Sequence, residues 1–243
     1  MCGIAGIFDR SGVRPDVSLL ERMRDVMVTR GPDDAGLYIA EGIGLGHQRL
    51  SIIDLSAAGH QPLANEDGSV WAVFNGEIYN FLALRTELES AGHRFRSRSD
   101  TEILVHGYEE WGSAGLLARI DGMFAFAVWD AGARRLLLAR DRTGKKPLFY
   151  ADVGGRLYFA SDIKSIWLAL GDRLSVDPKA IDEFLYFYFI PQDRTIFREV
   201  HKLPPATYLE ADASGSRASV YWTLDLTSKD EASEEEWIGR SEA

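Results

Sequence analysis

The sequence predicts an α+β fold in which stacked, mainly antiparallel sheets are covered by helices. Three observations predict it. Short β-like runs bounded by Gly, Asp or Pro dominate the first half of the chain. A later set of strands follows in hairpin order, joined by tight turns where a parallel sheet would need helical crossovers. Helical patterns flank that strand-rich middle on both sides.

The first strands are read at Gly3 to Phe8, Gly36 to Ala40, Ile43 to Gln48 and Ser69 to Phe74. A helix from Phe81 to Ala91 places Leu84, Leu88 and Ala91 on one face and stops before Gly92. Ser99-Asp100-Thr101-Glu102 reads as a capping box, with Ser99 as N-cap and Glu102 three residues on. The helix it opens carries Ile103, Leu104, Tyr108 and Trp111 on one side. A strand meander follows at Met123 to Trp129, Arg135 to Ala139, Pro147 to Ala151 and Arg156 to Ala160. Its turns are Asp130-Ala131-Gly132 and Val153-Gly154-Gly155. Helices are expected again at Ile163 to Leu170 and Pro178 to Phe187. Residues 1–225 read as one domain, and 226–243 as an acidic linker into a further domain outside this segment.

The 243 residues are 46% hydrophobic and 26% charged, a balance that permits a sizeable core. A net charge of −10 argues against a nucleic-acid surface, which needs clustered Lys and Arg. One cysteine permits no internal disulfide. The apolar run Phe184 to Ile190 is too short to span a bilayer and ends at Pro191, and the N-terminus lacks a signal-peptide profile. A soluble, cytoplasmic protein without nucleic-acid or membrane partners is expected.

The lone cysteine is Cys2. Removal of Met1 would give it a free α-amine on the same Cα as its thiol. The amine, with an ordinary pKa of roughly 7.7–8.0, is placed to take a proton from a thiol of about 8.5. One residue would then supply nucleophile and base together. Arg49 has the planar fork that holds a carboxylate bidentately, or it forms a surface ion pair. Asp100 and Glu77 offer negative charge, and Asp100 also suits a helix first turn. Asn75-Gly76 is a good turn dipeptide at the end of an apolar strand. Arg30-Gly31-Pro32-Asp33 carries a turn signal for a structural loop.

Five segments give these residues a common setting: Met1-Cys2-Gly3-Ile4, Arg30-Gly31-Pro32-Asp33-Asp34, Arg49-Leu50-Ser51-Ile52-Ile53-Asp54, Asn75-Gly76-Glu77-Ile78-Tyr79-Asn80 and Ser99-Asp100-Thr101-Glu102. Together they resemble the glutaminase domain of class II glutamine amidotransferases, which are N-terminal nucleophile (Ntn) hydrolases. Asp141 to Leu148, Phe159 to Lys164, Lys202-Leu203-Pro204-Pro205 and Tyr221-Trp222 narrow the resemblance to the glutamine-hydrolysing asparagine synthetase family.

The resemblance implies an α/β/β/α sandwich and hydrolysis of L-glutamine to glutamate and ammonia. It makes Cys2 the nucleophile and gives Asn75 and Gly76 the oxyanion hole. It places Arg49 on the substrate carboxylate and Glu77 and Asp100 at the substrate ammonium. Leu50, Ser51, Ile52 and Ile53 complete the substrate-binding set. Ammonia would pass to a C-terminal synthetase domain that amidates aspartate, or another carboxylate in a related amidotransferase. A different reading is a non-catalytic glutamine-binding module. The Ser-Gly-Gly-x-Asp-Ser loop for ATP is absent here, so ATP and Mg2+ are expected in the synthetase domain and no cofactor in this segment. His47, His60, His93, His106 and His201 are scattered, and no metal site is expected. Dimers occur in the family, but nothing in the sequence requires a homodimer.

Overall fold

A computed structural model of the chain describes residues 1–191, 193–227 and 232–241. In chain order, the elements are β1 (Gly3–Asp9), α1 (Val17–Asp25), β2 (Asp34–Ala40), β3 (Ile43–Arg49), β4 (Leu63–Ala64), β5 (Val70–Ile78), α2 (Phe81–Ala91) and α3 (Glu102–Arg119). There follow β6 (Gly122–Asp130), β7 (Arg135–Arg140), β8 (Phe149–Val153), β9 (Arg156–Ala160), α4 (Ile163–Leu170), α5 (Pro178–Phe187), β10 (His201–Lys202), β11 (Thr207–Asp212), β12 (Gly215–Val220) and α6 (Glu234–Ser241). No helix among the described residues is long and apolar enough to cross a membrane.

Two six-stranded sheets form, in the orders β10-β8-β9-β1-β3-β2 and β12-β11-β7-β6-β5-β4, and the strand pairs are antiparallel. The strands are apolar on both faces because both faces are covered. On β6, Ala125, Ala127 and Trp129 enter the layer between the sheets, while Phe124, Phe126 and Val128 turn toward α2 and α3. On β1, Ile4 and Phe8 enter the inter-sheet layer, and Ala5 and Ile7 pack toward α1 and α4. The result is an α/β/β/α sandwich with three apolar layers.

The meander expected across Met123 to Ala160 is instead two hairpins in different sheets. β6 and β7 pair in the second sheet, and β8 and β9 in the first. The loop between them, Asp141 to Leu148, carries the chain across. The Asp141 carboxylate gathers the backbone N–H groups of Phe124, Thr143, Lys145 and Lys146 at 2.9–3.2 Å. Helix α1 and the hairpin β11–β12 were not anticipated. Asp16 caps α1 by accepting from the Leu19 N–H, and Leu20 and Met23 form its buried stripe.

The capping box is displaced. The Glu102 carboxylate accepts from the N–H of Arg96 and Ser97 and from Ser97 Oγ, not from Ser99 N–H, so Thr101 precedes α3. Ser99 Oγ still accepts from Thr101 N–H. Helix α5 buries only Ala180 and leaves Leu185 and Tyr186 exposed. Of the expected linker, residues 228–231 and 242–243 lie outside the described residues, and α6 occupies the rest of its end.

Candidate active site

A cleft of about 260 Å3 opens where the ends of both sheets meet the start of α3. The sheets deliver its residues from opposite sides. Cys2 precedes β1, and Arg49 ends β3, the neighbour of β1. Asn75, Gly76 and Glu77 lie on β5 of the other sheet, and Asp100 lies just before α3. All of these line the cleft together with Leu50, Ile52 and Ile53. Ser51 does not line it; its N–H is tied to Asp33 Oδ2 at 2.8 Å.

Cys2 Sγ lies against the Leu50 backbone, accepting from its N–H at 3.4 Å and donating to its carbonyl at 3.7 Å. Burial pushes the thiol above its ordinary value. The Leu50 N–H, the chain's amino terminus and the Arg49 charge oppose that rise, and Asp100 adds to it. Such a thiol needs a base beside it to become a nucleophile at neutral pH. The loop from Arg30 to Asp33 braces this corner. Arg30 Nε donates to the Cys2 carbonyl at 3.1 Å, and Asp33 N–H to the Arg49 carbonyl at 3.0 Å.

Asn75-Gly76 is not a turn. Both residues lie within β5, opposite Ala125 and Phe124 of β6. Asn75 is 1% exposed, and its Nδ2 donor is buried with no hydrogen-bond partner. Buried donors are almost always paired, so an orphan on a cleft wall points to a ligand oxygen. A Cβ on Gly76 would fall 2.3 Å from the Met123 carbonyl, so only glycine permits this approach of β6.

The strand carrying Asn75 is clamped one residue earlier. Phe74 N–H donates to Gln61 Oε1 at 2.7 Å, and His47 Nε2 lies 3.0 Å from the Phe74 carbonyl. Because that carbonyl only accepts, His47 carries its proton on Nε2. Burial lowers its pKa to about 4, which keeps the ring neutral. Gln61 Nε2 donates to Thr101 Oγ1 at 3.1 Å, linking β5 to the start of α3. Gln61, Thr101, Met123 and Lys146 also line the cleft and were missed from sequence. Gln61 and Met123 carry a tertiary signal only, whereas Thr101 and Lys146 sit within the segments Ser99 to Glu102 and Asp141 to Leu148.

Arg49 is not a surface ion pair. Its guanidinium is 6% exposed and donates to the carbonyls of Ile53, Asp54 and Ser56, which take three of its five N–H groups. The chain from Leu50 to Ser56 wraps this cation.

Asp100 is 4% exposed and accepts from the Ile78 N–H at 2.9 Å. Burial, with a smaller contribution from the Glu77 charge, pushes its carboxyl up to about 6 from 3.8. A value raised on folding favours the fold below the unfolded value, and that contribution is lost as pH rises through about 6. Binding an ammonium works in the other sense, because it requires the ionised carboxylate. The KM for an α-amino substrate is therefore expected to rise as pH falls below about 6, an acid limb that Asp100→Asn removes. Steady-state kinetics from pH 5 to 8 checks it; the same limb persisting in Asp100→Asn would assign it to another group.

Two of the scattered histidines do meet: the His93 and His106 rings lie 4.9 Å apart, outside the cleft.

The sequence profile described as a glutamine amidotransferase domain matches residues 1–222. Asparagine synthetase [glutamine-hydrolyzing] 1 of Bacillus subtilis is 39% identical over 210 residues, covering 85% of this chain and 33% of that protein. Amidase chyE of Penicillium rubens is 37% identical, covering 98% of this chain and 37% of its own length. The chain thus spans about a third of the length of these relatives. Among solved structures, glutamine phosphoribosylpyrophosphate amidotransferase from B. subtilis superposes with a TM-score of 0.68 at 18% identity, covering 92% of this chain and 50% of that one. That likeness shows a shared fold. With the profile matched over nearly all of its length, the chain belongs to the glutamine amidotransferase domain family.

Proposed function

We propose that this domain hydrolyses the side-chain amide of L-glutamine to glutamate and ammonia, with Cys2 as nucleophile once Met1 has been removed. The observation that carries the reading is the unpartnered, buried Asn75 Nδ2 on the wall of the cleft that holds the Cys2 sulfur. The Cys2 α-amine takes the thiol proton, and the sulfur attacks the amide carbon. Asn75 Nδ2 and the Gly76 N–H receive the oxyanion. The amine then gives its proton to the departing ammonia, leaving a γ-glutamyl thioester. Water, deprotonated by the same amine, releases glutamate and restores the thiol. The two remaining N–H groups of Arg49 hold the substrate carboxylate, and Asp100 with Glu77 holds its ammonium.

The ammonia is then used by an ATP- and Mg2+-dependent synthetase domain of the same polypeptide, with aspartate as the acceptor. A second reading, in which the acceptor is a carboxylate other than aspartate, is supported by the similarity to a relative named as an amidase, chyE, and not as an asparagine synthetase. Incubating the Met1-free chain with diazo-oxo-norleucine, an electrophilic glutamine mimic, tests the hydrolase reading. One covalent adduct at Cys2 is expected by intact mass and peptide mapping. A chain that stays unmodified, with its N-terminal cysteine exposed, overturns it.

A further inference from the structure

Glu66, His93, His106 and Glu109 form a second constellation, on residues that do not line the cleft. His106 is fully buried on α3, and Glu109 lies one turn further along that helix. His93 follows α2, and Glu66 lies between β4 and β5. One ligand atom from each of the four lies within 4.8 Å of the others.

Both Nδ1 atoms converge on one carboxylate. His106 Nδ1 is 3.2 Å from Glu66 Oε2, and His93 Nδ1 is 3.4 Å from Glu66 Oε1. Ligand atoms bound tetrahedrally at zinc distances stand about 3.3 Å apart. The outward nitrogens have carboxylates of their own: His106 Nε2 is 3.5 Å from Glu102 Oε1, and His93 Nε2 is 3.6 Å from Glu110 Oε2. A metal-ligating imidazole characteristically gives its second N–H to such a carboxylate. With its proton on Nε2, toward Glu102, His106 would present a lone pair on Nδ1. That atom is buried without a hydrogen-bond partner, and it faces an electron-rich carboxylate oxygen. Two lone-pair atoms this close repel unless a cation lies between them.

We propose that Glu66, His93, His106 and Glu109 bind a divalent transition metal, with zinc as the best fit. Two imidazoles and two carboxylates suit tetrahedral zinc, whereas magnesium and calcium demand oxygen ligands. Glu66 and His93 are partly exposed, so the ion has a way in from solvent. The ion has a structural task. It ties the turn before β5 and the segment after α2 to α3, and Glu102 passes that constraint to Arg96 and Ser97, just before Asp100. The site is independent of the glutaminase reading.

Zinc titration of the chelator-stripped Cys2→Ala chain tests the proposal, the substitution removing the thiol as a competing ligand. Calorimetry and metal analysis should find one equivalent per chain, with a raised Tm. Cobalt should give the visible absorption of a tetrahedral N/O site. His93→Gln and Glu66→Gln change partly exposed ligands and leave the buried His106 in place; each should weaken binding about tenfold or more. No stoichiometric uptake, or uptake that survives both substitutions, overturns the proposal. So does an NMR titration in which both rings carry two protons and do not respond to zinc, because protons then bridge the carboxylates.

Discussion

Replacing Cys2 with alanine is expected to abolish glutamate release and leave the fold unchanged. The sulfur contacts the Leu50 backbone at the cleft wall, so its loss opens no cavity in any of the three apolar layers. The cleft's hydroxyls are already committed: Thr101 Oγ1 accepts from Gln61 Nε2 and Ser99 Oγ, and Ser99 Oγ accepts from the Thr101 N–H and lies 3.5 Å from Asp100 Oδ1. Removing a nucleophile that works as a unit with its base costs about 10^4–10^6-fold in turnover. The same loss is expected while Met1 remains attached, because the Cys2 nitrogen is then an amide and cannot accept the thiol proton. Glutamate release measured beside intact mass and thermal melting separates the cases. Near-normal turnover in Cys2→Ala, or full activity in a chain that quantitatively retains Met1, contradicts the mechanism.

Asn75→Ala is expected to lower kcat by about 10^2–10^3-fold with little change in KM, as for the loss of one oxyanion donor. The split follows from the proposed mechanism, in which Nδ2 meets the substrate where negative charge develops, not at the carboxylate or ammonium that set ground-state affinity. Asn75→Asp keeps the shape but turns the donor into an acceptor with negative charge, so its loss should be at least as large. Because the wild-type donor is buried and unpaired, Asn75→Ala deletes no protein hydrogen bond and should leave the melting temperature within a few degrees of wild type. A raised KM at constant kcat would make Asn75 a ground-state binding residue instead.

How much of this was legible in the sequence depended on where the deciding contact lies. The strands β1, β3, β6 and β9 were readable because unbroken apolar runs between turn residues are what two-sided burial requires. The turn reading of Asn75-Gly76, one of the two it allowed, fails because its local preference is overridden by β6, which pairs with it across the strand. The cap of α3 shifted because Glu102 is taken by the N–H groups of Arg96 and Ser97, a choice among neighbours that spacing alone does not decide. Helix α1 had a signal that went unused: Asp16 as cap, then Leu20 and Met23 three apart. His93 and His106 could not have been paired, since α2 and α3 first have to fold back on one sheet. Cys2, Arg49, Asn75, Gly76, Glu77 and Asp100 were named from motifs, and the structure brings all six to one cleft.

The Cys2 sulfur and the Asn75 amide stand on different sheets, and the slab that includes Ile4, Phe8, Val73, Ala125 and Ala127, with the His47–Phe74 hydrogen bond beside it, fixes how those sheets sit against each other. In the proposed mechanism, these interior side chains therefore set the reach of the sulfur toward the amide. An enlarged alanine there that the fold tolerates would slide one wall past the other and spoil the alignment. In a mutational scan of this slab, loss of turnover should outrun loss of solubility, and evolution would find its middle layer less free to drift than the layers beneath the helices.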